Sequence, residues 1–80
     1  MPTIELKKMP HVVIKTYPIP EEQKVQLAEE IKQLIMKVTG KPEDFISIAI
    51  KDVPESEWMD KVYELEIRPN LETLYKKPGY

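Results

Sequence analysis

One segment governs what this chain can become: a run of some twenty residues bounded by Pro20 and Gly40, with a short β-rich stretch on either side. Pro20 suits the opening of a helix, Glu21 and Glu22 set negative charge in its first turn, and Gly40 follows the last apolar residue as a stop. Leu27, Ala28, Ile31, Leu34, Ile35 and Val38 recur at three- and four-residue steps, which gathers them on one face of an amphipathic helix of about five turns. Ahead of it, residues 10–17 are rich in β-branched and aromatic side chains (Val12, Val13, Ile14, Thr16, Tyr17) and read as a strand that Pro18 stops. Behind it, a turn at Lys41-Pro42-Glu43-Asp44 leads into a second strand over residues 45–50. There Ile46, Ile48 and Ile50 point one way and the small Ser47 and Ala49 the other, leaving room for something to lie against them. A long helix between two strands predicts a parallel βαβ unit with a right-handed crossover. Two strands do not make an independently stable sheet, so pairing with a second subunit is expected.

The tail is less regular. Residues 57–67 suit a helix with Trp58, Val62 and Leu65 among its apolar positions, Pro69 should end or kink it, and residues 71–75 suit a further short helical turn. The expected organisation is one domain over residues 10–80, with residues 1–9 as an extension or an alternative start. Residues 2–7 are themselves strand-like, and a genuine first strand there stays open.

Composition removes several classes of function. The 80-residue chain has no cysteine, which excludes disulfides, thiol nucleophiles and cysteine metal sites, and its single histidine, His11, argues against a histidine-based metal centre. A chain this small buries only about 60% of its unfolded surface, so self-association is the natural further source of stability. Twelve basic and fourteen acidic side chains give no field for a phosphate backbone, which makes nucleic acid an unsuitable partner. No apolar stretch approaches the roughly 20 residues of a membrane span, and a signal peptide's apolar core is not evident, so a cytoplasmic protein is expected.

Met-Pro occurs twice, at Met1-Pro2 and Met9-Pro10. If initiation and methionine removal leave either proline first, its ring nitrogen becomes a secondary amine with a titratable lone pair; an internal proline nitrogen has neither proton nor basicity. An α-amino group titrates ordinarily near pH 7.7 to 8.0, and apolar walls favour its neutral form, so it can act as a base near neutrality.

Pro10-His11-Val12-Val13-Ile14-Lys15, Glu21-Glu22-Gln23-Lys24, Ile46-Ser47-Ile48-Ala49-Ile50, Pro54-Glu55-Ser56 with Trp58 close behind, and Tyr75-Lys76-Lys77-Pro78-Gly79-Tyr80 together resemble the 4-oxalocrotonate tautomerase family, in its small bacterial branch related to phenylpyruvate tautomerase. The resemblance covers residues 9–80. It implies an α/β (α+β) subunit, a βαβ unit with a helical tail, that pairs into a four-stranded sheet. It also implies a cofactor-free keto-enol isomerase whose amino-terminal proline is the base, and the matching position is Pro10, with Pro2 as the base only under the alternative start.

Family members acting on dicarboxylates resemble one another in placing an arginine just before the helix and another in the second strand; here those regions read Ile19-Pro20 and Ser47, and the chain's one arginine is Arg68. An aryl or apolar 2-keto acid is therefore the expected substrate. Trp58, Ser47, Lys51 and Arg68 are the candidate substrate-binding residues, with Lys15 a further cation able to meet a carboxylate. His11 sits beside Pro10, yet strand alternation sends neighbours to opposite faces and favours a solvent or subunit-contact role. Two functions stay open: a cofactor-free tautomerase working at a subunit interface, and a catalytically silent homo-oligomer or binding module with a blocked proline amine. A dimer is favoured over a hexamer.

Overall fold

The computed structural model describes residues 9–80; Pro2 and the strand-like run over residues 2–7 lie outside the described residues. Strand β1 is His11–Thr16, helix α1 is Glu21–Thr39 and strand β2 is Ser47–Asp52. The two strands pair in parallel, from His11 opposite Ser47 to Thr16 opposite Asp52. The βαβ unit expected from the alternation of β-rich and amphipathic segments is the observed one.

Helix α1 has the anticipated punctuation with one shift at its start. Pro20 is the extended residue before the helix (φ −61°, ψ 151°) and Glu21 the first helical one. With no side chain capping the end, the Pro20 carbonyl accepts the N–H groups of Gln23 and Lys24 at 3.0 and 3.2 Å. At the other end Gly40 turns into the left-handed region (φ 74°, ψ 9°) and donates its N–H to Met36, a conformation that costs glycine nothing and any residue with a Cβ something.

Second-strand bounds differ from the expected 45–50. Pro42 launches a single 3₁₀ turn, Glu43–Phe45, closed by the Ile46 N–H on the Glu43 carbonyl at 3.0 Å. Pairing begins where the Ser47 N–H reaches the Pro10 carbonyl at 3.2 Å and ends with the Val53 N–H on Thr16 at 2.8 Å. Side-chain alternation carries no information about where the partner strand begins, so the register slides the strand two residues onward.

Register places Val12, Ile14, Ile48 and Ile50 on one sheet face. Helix α1 covers that face through Val25 and Ala28, which line shared clefts with Ile46, Ile48 and Ile50. Of the six apolar helix positions, Ala28, Ile31 and Ile35 are half-buried while Leu27, Leu34 and Val38 stay exposed, the last at 72%. Lysine stems take part of the inward face instead: Lys24 bonds Asp52 at the end of β2 at 2.8 Å, and Lys32 reaches Glu29 and Glu43 at 3.1 and 3.3 Å.

The tail starts as helix α2, Glu55–Trp58, after Pro54, whose carbonyl accepts the Glu57 N–H at 2.9 Å. It continues without a break as a π-helix over Met59–Ile67, whose wider turn shows in the Arg68 N–H bonding the Tyr63 carbonyl five residues back. As Pro69 requires, regular winding stops there: Arg68–Thr73 is 3₁₀, kinked at Asn70 (φ −116°, ψ 16°), and Leu74 is extended. The tail lies over the second sheet face, where Val13 and Lys15 share a cleft with Ile67, Leu74 and Pro78. Lys15 is ion-paired with Glu66. Val62, 5% exposed, is the one buried hydrophobic side chain among the described residues, a thin core for one chain.

Candidate active site

Strand β1 separates the site's chemistry into two ends. At its head, Pro10 is half-buried and its carbonyl holds the Ser47 N–H, so parallel pairing brings the proline beside Ser47 on the next strand. Ser47 also bonds His11 through its hydroxyl, with His11 Nδ1 and Ser47 Oγ 2.6 Å apart. His11 is exposed, as alternation anticipates, yet it is no idle surface residue: it steadies the hydroxyl that sits nearest the proline end. Opposite pairing in the ladder created this contact, and only the register could have revealed it.

At the far end of β1 lies a cleft of about 530 Å³ lined by Lys15, Thr16, Tyr17, Trp58 and Tyr80. Trp58 is half-buried and held from two sides. The Tyr17 ring meets it edge-on, with centroids 5.2 Å apart and planes at 90°, and its indole Nε1–H donates to the Tyr80 hydroxyl at 3.1 Å. Tyr63 supports Tyr80 in turn, with ring centroids 5.8 Å apart. Sequence alone leaves Trp58 between a pocket wall and a core or interface residue, and the structure puts it on the cleft; Tyr80 was not legible, because 22 residues separate it from the indole.

The remaining candidates go elsewhere. Arg68 is turned along the tail to Glu64, its Nε 2.8 Å from the carboxylate, which holds the guanidinium pKa further above its ordinary value. Lys51 is exposed and pairs in register with Lys15 on the tail-facing side of the sheet. Thus Pro10 and Ser47 are together at one end, Trp58 and Lys15 at the other, and Arg68 joins neither.

The fold is thus a βαβ unit with a proline just before its first strand and an aromatic cleft at that strand's far end. Residues 10–62 match the family described as Tautomerase enzyme, the matched region opening on Pro10, and the chain belongs to that family. It is 39% identical over 74 residues to Tautomerase PptA of Pectobacterium carotovorum subsp. carotovorum (strain PC1), a match covering 90% of this chain and 97% of that one. The same figures hold for Tautomerase PptA of Cronobacter sakazakii (strain ATCC BAA-894) and of Escherichia coli (strain SMS-3-5 / SECEC). The protein is therefore an isomerase, a keto-enol tautomerase, and a silent binding scaffold is not the favoured alternative.

Proposed function

We propose that this tautomerase uses the secondary amine of Pro10 as its base and acts on a small aryl or apolar 2-keto acid, in a site shared between subunits. The carrying observation is that the family match opens on Pro10, at the strand end where the Ser47 hydroxyl is bonded to His11. On this reading translation starts at Met9, methionine is removed, residues 10–80 form the catalytic unit and Pro2 plays no part. The neutral amine takes the enol hydroxyl proton; the electron pair left on oxygen forms the keto carbonyl as the C=C bond shifts its electrons to carbon. The protonated amine then returns the proton to that carbon. The Ser47 hydroxyl, steadied by His11, donates to the oxygen on which charge develops.

A monoacid fits better than a dicarboxylate because the one arginine, Arg68, is engaged with Glu64 on the tail. Sharing between subunits follows from distance. Pro10 and the aromatic cleft stand at opposite ends of a six-residue strand, about 20 Å apart at the rise of a strand, far more than a small keto acid spans. A two-fold neighbour that adds its strands edge to edge brings one subunit's proline to the other's cleft and makes the four-stranded sheet of a homodimer. The exposed Leu34 and Val38 of α1 supply apolar surface for the same assembly.

The intact mass of the active protein and the decay of enol absorbance with phenylpyruvate test this together. A mass beginning at Pro10, and a fall of about 10²- to 10⁴-fold in Pro10→Ala, are expected. Equal rates in variant and wild type, or an active enzyme that retains Met1, would overturn it.

A further inference from the structure

We propose that Tyr80 is the specificity-determining residue that makes the cleft at the end of β1 a slot for the uncharged aryl end of the substrate; this deepens, and rests on, the assignment of a 2-keto acid above. Tyr80 is part of the cleft wall, and its hydroxyl accepts the Trp58 indole N–H at 3.1 Å. That bond fixes the indole from one side while the Tyr17 ring, perpendicular at 5.2 Å, fixes it from the other. Two aromatic walls with set orientation favour a flat ring, which gains edge and face contacts that a branched alkyl group cannot make. Tyr80 itself is braced by Tyr63, so the slot is prepared before anything binds.

Charge at the cleft argues the same way. Lys15 is its lining cation, and its ammonium is already paired with Glu66. The cleft thus offers the carboxylate of a keto acid no unengaged cation from its lining, and it suits the apolar end. The carboxylate and the reacting carbons are left to the proline end, where Ser47 donates. The indole N–H and the lysine ammonium are already engaged, Trp58 with Tyr80 and Lys15 with Glu66, so an aryl ring entering the cleft strands neither of them.

The test compares kcat/KM for phenylpyruvate with that for 4-methyl-2-oxopentanoate in wild type, Tyr80→Phe and Tyr80→Ala. Tyr80 is 61% exposed, so neither change disturbs the core. The aryl-to-alkyl ratio should fall about fivefold in Tyr80→Phe, which loses the anchoring bond, and about tenfold or more in Tyr80→Ala, which loses the wall, with the change in KM. Equal falls for both substrates, or an unchanged ratio in both variants, would overturn the proposal. A second measurement separates it from the proline assignment. Trp58 is the only tryptophan, so binding of 3-phenylpropanoate, which cannot tautomerise, is read from its fluorescence in chains with Pro10 or Pro10→Ala. Binding that Tyr80→Ala weakens in both backgrounds supports the slot even if Pro10→Ala keeps its activity, whereas binding indifferent to Tyr80 sinks the slot and leaves Pro10 untouched.

Discussion

Mixing two impaired variants measures directly whether one site draws on two chains. On the proposed mechanism Pro10→Ala removes the base and Trp58→Ala removes a cleft wall; alone, the first should fall about 10²-fold or more and the second about tenfold or more. Within one subunit these residues stand at opposite ends of β1, about 20 Å apart, so under the proposed shared site each working centre takes its proline from one chain and its tryptophan from another. When equal amounts are unfolded together and reassembled at random, a site receives an intact proline half the time and an intact tryptophan half the time. Independent draws restore about one quarter of wild-type activity, whether the assembly is a dimer or larger. The assay is loss of enol absorbance before and after co-refolding, with each variant refolded alone as reference. A mixture that stays at the mean of its two parents would refute the shared site, since that is the result when both residues of a site belong to one chain.

Three further outcomes follow from the fold. Gly40→Ala should cost about 1 kcal/mol, read by urea unfolding at fixed protein concentration, because φ is 74° there while an added Cβ would meet nothing within 4 Å, so the cost is in the backbone alone. Val62→Ala, at the one buried hydrophobic position among the described residues, should cost about 2 kcal/mol from two lost methyl groups and the space they leave, and a change below that for Gly40→Ala would count against a core centred there. The urea midpoint should also bend at both ends of the pH range. Hydrogen bonding from Gln33, then Lys32, holds the Glu29 carboxyl below its ordinary value, so its contribution is present above about pH 4.5 and lost as pH falls through the lowered value. Bonds to Asp52 and Glu29 raise Lys24 and Lys32, so theirs is present below about pH 10 and lost as pH rises through the raised values; Glu29→Gln should flatten the acid limb and the Lys32 share of the alkaline one, leaving the Lys24 share in place.

What the sequence made legible depended on how local the cause was. Pro20, Glu21, Glu22 and Gly40 act within a turn of themselves, and α1 follows them to within a residue. Its inward face was only half legible: periodicity counts Leu34 and Val38 as apolar, but whether they are covered depends on what the sheet leaves over, and Lys24 and Lys32 reach across to Asp52 and Glu43 instead. Alternation in β2 gave the correct faces and the wrong start, since pairing begins where the Pro10 carbonyl lies. The π-helical tail has no sequence period of its own in so short a stretch, and apolar residues at 58, 62 and 65 read equally well as α. Pro10 as a candidate base and Trp58 as a candidate wall were visible as residue types. The partners that orient them, Ser47 with His11 and Tyr80 with Trp58, join positions 36 and 22 residues apart and emerge only from folding.

The nine-residue π segment, Met59–Ile67, has a genetic consequence. Each of its turns holds more residues than an α-turn, so losing one codon there would let the segment rewind as an ordinary helix with a different rotation and rise, which turns and shifts everything downstream. Tyr80 would then be carried away from Trp58, although no aromatic had been mutated. A one-residue deletion in this stretch should therefore disturb the Trp58–Tyr80 contact more than a single substitution on its exposed side does.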